Sequence, residues 1–309
     1  MKIITLTLNV AQDVHCYTDS FVAGHENIVS ILSRDAGGKG INVSRALCAM
    51  GVPNTAVAVV GSEGRADFED ALSSDGINAL TVEVKGRVRE NITVHTKSGV
   101  ETRISFAGAA ASDGLLDEVY ELISKMIDND CVLAFTGSVP DGIGRDALVS
   151  FLLKLKEKGA KLVIDSRSLT KEDVFLIGPF LIKPNEDEVA AYVDERIDTL
   201  EDAVKAARAL REQGIENVMI SLGSRGAVLC ASDGAYFAQA PKIKALSTIG
   251  AGDSSIAGFL AAMSEGAANC DLLRTAVAYG SAACLTEGTK PPRKEDIQRL
   301  GELINVSQI

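Results

Sequence analysis

From about residue 113 onward, short apolar stretches alternate with stretches of helical periodicity, and this alternation limits the fold more than any other feature of the chain. The predicted strands lie at 131–135, 161–165, 180–183 and 217–221. Their interiors are apolar throughout, whereas a strand with one face in water would alternate with polar residues. Strands of this kind, separated by helices, predict an α/β fold in which helices cover both faces of a mostly parallel sheet.

Two segments of the first half of the chain do not follow this alternation. Residues 14–35 are mixed and polar, and residues 86–107 contain β-rich stretches around a Ser98-Gly99 turn. These features are typical of hairpins. We interpret them as a small β-rich lid formed by two excursions from a single domain, residues 1–309. Small hairpins are marginally stable alone, so we expect the lid to pair with that of a second copy in a homodimer.

Charge and hydropathy exclude several classes of protein. With 31 Lys+Arg against 42 Asp+Glu the net charge is −11, which argues against nucleic-acid binding because a phosphate backbone requires clustered cations. No apolar run approaches the roughly 20 residues of a membrane span, and the first residues resemble a strand, not a signal peptide. The six cysteines are scattered without a CxxC pair, which disfavours a zinc cluster. We expect a cytoplasmic protein that binds neither nucleic acid nor a membrane.

The segment Gly250-Ala251-Gly252-Asp253 precedes a predicted helix. Backbone N–H groups at a helix start attract anions, and two interpretations of Asp253 follow. It is either a helix cap or a general base that takes a proton from a hydroxyl, while the Gly250–Gly252 amides stabilise a transferring phosphoryl group. A dinucleotide-binding fingerprint, as in a Rossmann oxidoreductase, fits less well because Ser255 occupies its third glycine position and the motif occurs late in the chain.

A glycine cluster at residues 37–40 suggests a second site. Glycines let the backbone approach a ligand closely, Lys39 offers a cation, and Asn42 can donate to and accept from a sugar hydroxyl. Together with Asn9 and Asp13 after the first strand, this favours a polyol site at the carboxyl edge of the sheet, where open α/β folds bind ligands. A flexible turn is the alternative interpretation.

Two further motifs follow predicted strands. Lys183-Pro184-Asn185-Glu186-Asp187-Glu188 is a good helix start, and Glu188 is alternatively placed to reach a Mg²⁺-bound water. Ser221-Leu222-Gly223-Ser224-Arg225-Gly226 has the two glycines of a tight turn.

The order and spacing of these motifs, with Gly137-Ser138-Val139-Pro140 between them, resemble the PfkB carbohydrate kinases of the ribokinase superfamily over residues 3–305. The resemblance implies a ribokinase-like three-layer αβα sandwich with a β lid, using ATP and Mg²⁺. The glycine motifs are most similar to those of the phosphosugar branch, which contains 1-phosphofructokinases, tagatose-6-phosphate kinases and minor-type 6-phosphofructokinases.

The resemblance also implies roles for individual residues. Asp253 is the catalytic base, and Gly250, Ala251 and Gly252 supply the anion hole. The sugar-binding set is Asp13, Gly38, Lys39, Asn42, Arg89 and Ser138, with Arg89 and Lys39 the candidates for the substrate phosphate. The ATP side is Lys183, Asn185, Ser221, Gly223 and Gly226, with Glu188 near the metal. Val88 departs from the family pattern, which usually has threonine there.

The expected reaction is ATP-dependent phosphorylation of a ketohexose monophosphate, with fructose 1-phosphate going to fructose 1,6-bisphosphate as the favoured case. Tagatose 6-phosphate and fructose 6-phosphate are alternative substrates within the same branch, and an unphosphorylated sugar or nucleoside is a more distant one. A catalytically inactive regulator that binds a nucleotide or sugar is the alternative from another class.

Overall fold

Fourteen strands and ten α-helices follow one another in the computed structural model, which describes residues 1–309. The strands are β1 (Lys2–Thr7), β2 (Ala11–Thr18), β3 (Ser30–Gly37), β4 (Thr55–Glu63), β5 (Ala79–Arg87), β6 (Arg89–Thr96), β7 (Glu101–Ser105), β8 (Cys131–Thr136), β9 (Lys161–Asp165), β10 (Leu181–Ile182), β11 (Asn217–Ser221), β12 (Ala227–Ala231), β13 (Gly234–Ala238) and β14 (Val306–Gln308). The helices are α1 (Lys39–Ala49), α2 (Arg65–Ser74), α3 (Leu115–Ser124), α4 (Arg145–Glu157), α5 (Lys171–Ile177), α6 (Glu186–Val193), α7 (Leu200–Glu212), α8 (Ala251–Ser264), α9 (Asn269–Ala283) and α10 (Lys294–Gly301). None of them combines the length and the apolar character that a bilayer crossing requires.

Ten strands form one sheet in the order β14-β13-β12-β11-β10-β9-β8-β1-β4-β5. The pairs from β11 to β5 are parallel, and those from β11 to β14 are antiparallel. The predicted α/β class with a mostly parallel sheet is therefore confirmed. The antiparallel strands β12, β13 and β14 were not predicted from the sequence, which indicated only the turn between β11 and β12.

Helices cover both faces of this sheet, and β4 illustrates how its residues divide between them. Val57 and Val59 belong to the apolar core beneath α3–α7. Their neighbours Ala56 and Ala58 face the opposite way and pack with α1 and α2. Helices α8 and α9 cover the rest of that second face. The period of two along a strand thus produces the three layers.

Close packing of α8 against α9 depends on a glycine. A Cβ atom at Gly258 would lie 2.7 Å from the Thr275 carbonyl oxygen and 2.8 Å from the Tyr279 ring. The two helices approach closely because Gly258 has no side chain. This contact fixes the axis of α8, whose first residues are Ala251, Gly252 and Asp253.

The remaining four strands form a small separate sheet in the order β3-β2-β6-β7. Strands β2 and β3 form one hairpin and β6 and β7 a second, and the parallel β2–β6 pair joins them. The hairpins thus span 11–37 and 89–105, close to the two predicted excursions. Val14, Cys16 and Val94 form a small buried cluster within this sheet. Large apolar side chains remain exposed on its edge strands, including Ile31, Leu32 and Ile104.

Candidate active site

The motifs converge at the edge of the large sheet where the parallel strands end. Asp165 is the last residue of β9 and Ser221 the last of β11, while Lys183 directly follows β10. The amino end of α8 lies at the same edge, since a Cβ atom at Gly252 would be 3.0 Å from the Lys183 Nζ. The carboxyl edge of the strands is where α/β sheets bind ligands.

Asp253 lies in the first turn of α8 but does not cap it. The N-cap residue is Gly250, whose φ of 76° lies in the left-handed region that favours glycine. The Asp253 side chain is only 6% exposed and its Oδ2 accepts a hydrogen bond from Asn42 Nδ2 at 2.9 Å. The cap interpretation of Asp253 is therefore wrong, because its carboxylate is directed at the glycine-cluster helix α1 and not at its own helix end.

The start of α8 also presents free backbone donors. The N–H groups of Gly250, Gly252 and Asp253 form no backbone hydrogen bond, and that of Ala251 makes only a long 3.4 Å contact with the Thr248 carbonyl. Unpaired amides at a helix start, together with the positive end of the helix dipole, favour an anion.

The environment of Asp253 raises its pKa to about 6. Burial is the largest cause, because the charged form loses solvation, and the negative charge of Asp165 adds to it. The Asn42 hydrogen bond and the ammonium groups of Lys39 and Lys183 act in the opposite direction. The result is a carboxylate that is ionised at neutral pH and more basic than an ordinary aspartate.

Asp165 joins the two lysines of the site. Lys39 Nζ lies 3.1 Å from both Asp165 oxygens, and Lys183 Nζ lies 3.8 Å from Oδ2. Burial opposes ionisation of Asp165, but the two ammonium groups outweigh it and lower its pKa. Burial likewise opposes the charge on Lys39, while Asp165 and Asp253 overcome it and raise the Lys39 pKa. The sequence analysis missed Asp165, although it predicted the strand that ends there.

The glycine cluster packs closely against the side chains of two neighbouring strands. A Cβ atom at Gly37 would lie 2.2 Å from Asp13 Oδ2, and one at Gly40 would lie 2.4 Å from Thr7 Oγ1. Gly38 is the N-cap of α1 with a φ of 126°. The cluster is therefore a set of required glycines and not a flexible turn.

The remaining predicted sugar-side residues lie where the small sheet meets the loop after β1. Asp13 is buried and accepts a hydrogen bond from Asn91 Nδ2 at 2.8 Å. Arg89 donates to the carbonyls of Val10 and Asn9 at 3.1 and 3.2 Å. Its pKa is lowered, chiefly by burial. Ser138 is exposed and its Oγ accepts from Asn9 Nδ2 at 3.2 Å.

The predicted ATP-side residues lie around α6 and the turn after β11. Asn185 caps α6 in a capping box with Glu188: each side chain accepts from the other's backbone N–H. The second Glu188 oxygen accepts from Arg167 Nε at 2.9 Å. Ser221 Oγ contacts the Pro184 carbonyl oxygen at 3.4 Å.

The turn after β11 requires its second glycine. A Cβ atom at Gly226 would lie 1.9 Å from the Ala238 carbonyl oxygen, and Gly226 has a φ of 120°. Gly223 also has a positive φ, 55°. The helix-start interpretation of 183–188 and the tight-turn interpretation of 221–226 both describe the local structure.

Replacing the buried carboxylate should stabilise the protein at alkaline pH. An acid whose pKa is higher in the folded state than in the unfolded chain destabilises the fold increasingly as pH rises from about 4 through about 6. Asp253→Asn should therefore raise the free energy of unfolding by about 2–3 kcal/mol at pH 8 and by only about 0.5 kcal/mol at pH 4. Urea unfolding of both proteins at the two pH values measures this. Equal stability at pH 8 would contradict the raised pKa.

The chain is similar to several phosphofructokinases in sequence and in structure. The chain is 32% identical to the 1-phosphofructokinase of Bacillus subtilis (strain 168) over 309 residues, which cover 99% of this chain and 100% of the relative. The crystal structure of phosphofructokinase-2 from Escherichia coli in complex with substrates and products superposes with a TM-score of 0.91 at 29% identity, covering 98% and 99% of the two chains. The tetrameric inhibited form of that E. coli protein gives a TM-score of 0.89 at 28% identity over 98% of each chain.

A family model extends over nearly the whole chain. Residues 6–296 match the model described as "pfkB family carbohydrate kinase". The match includes both the glycine cluster before α1 and the Gly250–Asp253 segment at the start of α8. The resemblance inferred from the motifs is confirmed: the chain belongs to the PfkB family of carbohydrate kinases.

Proposed function

We propose that this kinase transfers the γ-phosphoryl group of ATP to a hydroxymethyl oxygen of a ketohexose monophosphate, with fructose 1-phosphate as the preferred acceptor and fructose 1,6-bisphosphate as the product. A phosphotransferase acting on a fructose phosphate is what the family and the similarity to the B. subtilis relative support. The observation that carries the proposal is the buried Asp253, held by Asn42 at the start of α8.

Asp253 is the proposed general base. Its carboxylate accepts the proton of the attacking hydroxyl as the sugar oxygen bonds to the γ-phosphorus, and the bond from that phosphorus to the β–γ bridging oxygen breaks to release ADP. Free amides at the α8 start stabilise the negative charge spread over the transferring group. Lys39 and Lys183, on either side of Asp165, add positive charge next to these amides.

ATP would bring its metal to this site. Asp165 and Glu188 are the carboxylates near the lysines and α6, but both are engaged: Asp165 with the lysines, and Glu188 in the capping box and with Arg167. Two engaged carboxylates still fit Mg²⁺, because this ion keeps several of its waters and binds through few carboxylates plus the substrate phosphates. Glu188 would hold a Mg²⁺-bound water; when bound, the ion neutralises phosphate charge.

The two candidates for the substrate phosphate have different surroundings. Lys39 is already paired with Asp165 on the side of Asp253, which favours a role at the transferred group. Arg89 has no carboxylate in hydrogen-bond contact: its guanidinium donates only to two backbone carbonyls and the Asn91 amide oxygen. A cation without a counter-ion at the rim of the sugar site suits a phosphate, so we assign the substrate phosphate to Arg89.

The substrate and the catalytic role of Asp253 are tested together by a substrate panel. Rates with fructose 1-phosphate, tagatose 6-phosphate, fructose 6-phosphate and ribose under identical conditions should be highest for fructose 1-phosphate. Asp253→Asn keeps the side-chain size, removes its basicity, and should lower kcat by at least about 10²-fold with little change in sugar-phosphate affinity. More than half of the wild-type kcat in the variant would contradict the base, and no activity in the wild type would favour the regulator.

A separate prediction concerns Arg89. Arg89→Ala should cost about 2–4 kcal/mol in kcat/KM for the sugar phosphate, because a charge-assisted contact in a closed site is lost. The KM for ATP should move little. Arg89→Lys is the matched control: it keeps the charge but not the forked donors, and should be less damaged. Equal loss for both substrates would indicate a structural role.

The exposed apolar residues of the small sheet support the proposed homodimer. Leu32 and Ile31 lie on the edge strand β3, 62% and 56% exposed, and Ile104 lies on the other edge strand β7. Exposed edge strands with apolar side chains tend to pair with another chain. We propose that the small sheets of two copies pack together through this surface.

Light scattering at micromolar concentration tests the dimer. The wild type should have the mass of two chains, and Leu32→Glu should shift it toward one chain because the charge would be buried without a partner. Leu176→Glu on α5 is the matched control, since Leu176 is 66% exposed and lies outside the small sheet. A monomeric wild type would contradict the proposal.

We also propose a cytoplasmic location. The two substrates, ATP and a sugar phosphate, are intracellular metabolites, and all six cysteines are free thiols. Free thiols persist in a reducing compartment.

A further inference from the structure

Arg45 is a buried cation that the proposed reaction does not use. It lies on α1, three residues after Asn42, and is 5% exposed. Its three terminal nitrogens have three different partners: Nε donates to Asp75 Oδ2 at 2.8 Å, Nη1 to Asn42 Oδ1 at 2.9 Å, and Nη2 to the Ala36 carbonyl. The guanidinium thus connects the end of β3, the C-cap residue of α2 and the side chain that contacts Asp253.

The contact with Asn42 has a directional consequence. A guanidinium donates hydrogen bonds and cannot accept them, so the Asn42 oxygen must face Arg45. The Asn42 amide nitrogen then faces the other way, toward Asp253 Oδ2 at 2.9 Å. A reversed amide would place its oxygen against the Asp253 carboxylate and its NH₂ group against the Arg45 guanidinium, and both contacts would be repulsive.

We propose that Arg45 is a positioning residue for the phosphoryl-transfer reaction: by fixing the orientation of the Asn42 amide, it keeps a hydrogen-bond donor on the catalytic carboxylate. This inference rests on the proposed function, in which Asp253 is the base. Arg45 itself touches neither Asp253 nor the reacting atoms.

The hydrogen bond from the Asn42 amide matters because the groups around Asp253 act on its pKa in opposite directions. Burial and the Asp165 carboxylate raise its pKa, and Lys39, Lys183 and the Asn42 amide lower it. Asp75 is the charged group that faces Arg45 from α2. Loss of the amide donor removes a hydrogen bond that favours the charged carboxylate, so the pKa of Asp253 rises further.

A purely structural role is the alternative, since a buried guanidinium paired with Asp75 can simply fasten α1 to α2. The two roles differ in their pH dependence. If Arg45 only fastens the helices, its loss lowers the stability of the protein and leaves the pKa of Asp253 unchanged. If Arg45 is a positioning residue, its loss moves the acidic limb of the pH profile of kcat/KM. That limb reports the pKa of the base before the sugar binds.

The experiment measures kcat/KM for fructose 1-phosphate at saturating ATP from pH 5.5 to 8.5. For Arg45→Met, the ratio of the variant kcat/KM to the wild-type kcat/KM should be about five-fold lower at pH 6 than at pH 8, because a further rise of the Asp253 pKa leaves more of this carboxyl protonated at pH 6. Asp75→Asn is the matched control: it removes the counter-charge of Arg45 and keeps the contact with Asn42. For Asp75→Asn, the ratio of variant to wild-type kcat/KM should not change with pH, even if the melting temperature of this variant falls.

Further variants identify the route of the effect. In an Asn42→Ala background, Arg45→Met should cause no additional shift of the acidic limb, because Arg45 acts through Asn42. If Arg45→Met does not fold, Arg45→Lys replaces it: lysine keeps the charge but cannot span three partners, so the same direction of shift is expected.

Three results would overturn the inference: an unshifted limb in the folded Arg45 variant, a shift that persists without Asn42, or an equal shift in Asp75→Asn. Its failure is distinct from that of the proposed function. If Asp253→Asn stays active, the base assignment fails. If Asp253→Asn is inactive and the Arg45 variant has the wild-type profile, only the positioning role fails.

Discussion

The Asp165 carboxylate between Lys39 and Lys183 is the interaction on which the rest of the site depends. Lys183 is 6% exposed and Asp165 7%, and an ammonium group buried to that degree without a counter-charge would be strongly destabilising. With Asp165 in place, two cations can stay at the sheet edge beside the α8 amides. Asp165 also supplies part of the field that makes Asp253 more basic than usual. One strand-terminal residue therefore balances the charge of the lysines and helps to raise the pKa of Asp253, the proposed base.

Backbone geometry determines where these charges lie. Gly40 lets α1 begin against the end of β1, since any Cβ atom there would meet Thr7. Gly250 lets α8 begin with a left-handed residue that leaves its first amides free. The two helix starts face each other through the Asn42–Asp253 hydrogen bond. The glycines thus serve the chemistry indirectly, by bringing two helix ends to one point.

Most of the fold and of the candidate site can be predicted from the sequence, and the residues that were missed have physical reasons for it. Apolar strands between helices predict a parallel sheet, and glycine motifs after strands predict which edge of it carries the candidate site. Asp165 carries no local signal, because only the fold brings it to Lys39, 126 residues away. The contact of Arg45 with Asn42 was predictable from the sequence, because their i,i+3 spacing puts both residues on one helix face. The antiparallel edge strand β14 was missed because three residues are too few for a pattern.

The Asn42–Asp253 contact joins residues 211 positions apart, and this separation affects how the enzyme comes into existence. At about 5–20 residues per second of synthesis, the glycine-cluster segment leaves the ribosome on the order of 10–40 s before the residue that completes it. During that interval the strands β1, β4 and β8 can already pair, and α1 and α2 already cover part of one face, whereas α8 and α9, which cover the rest of that face, have not yet been made. The helix that carries the proposed base is therefore also one of the last parts of the core to be synthesised. A chain interrupted before α8 would lack the proposed base and would leave part of an apolar sheet face uncovered, so unfinished copies would be prone to aggregation.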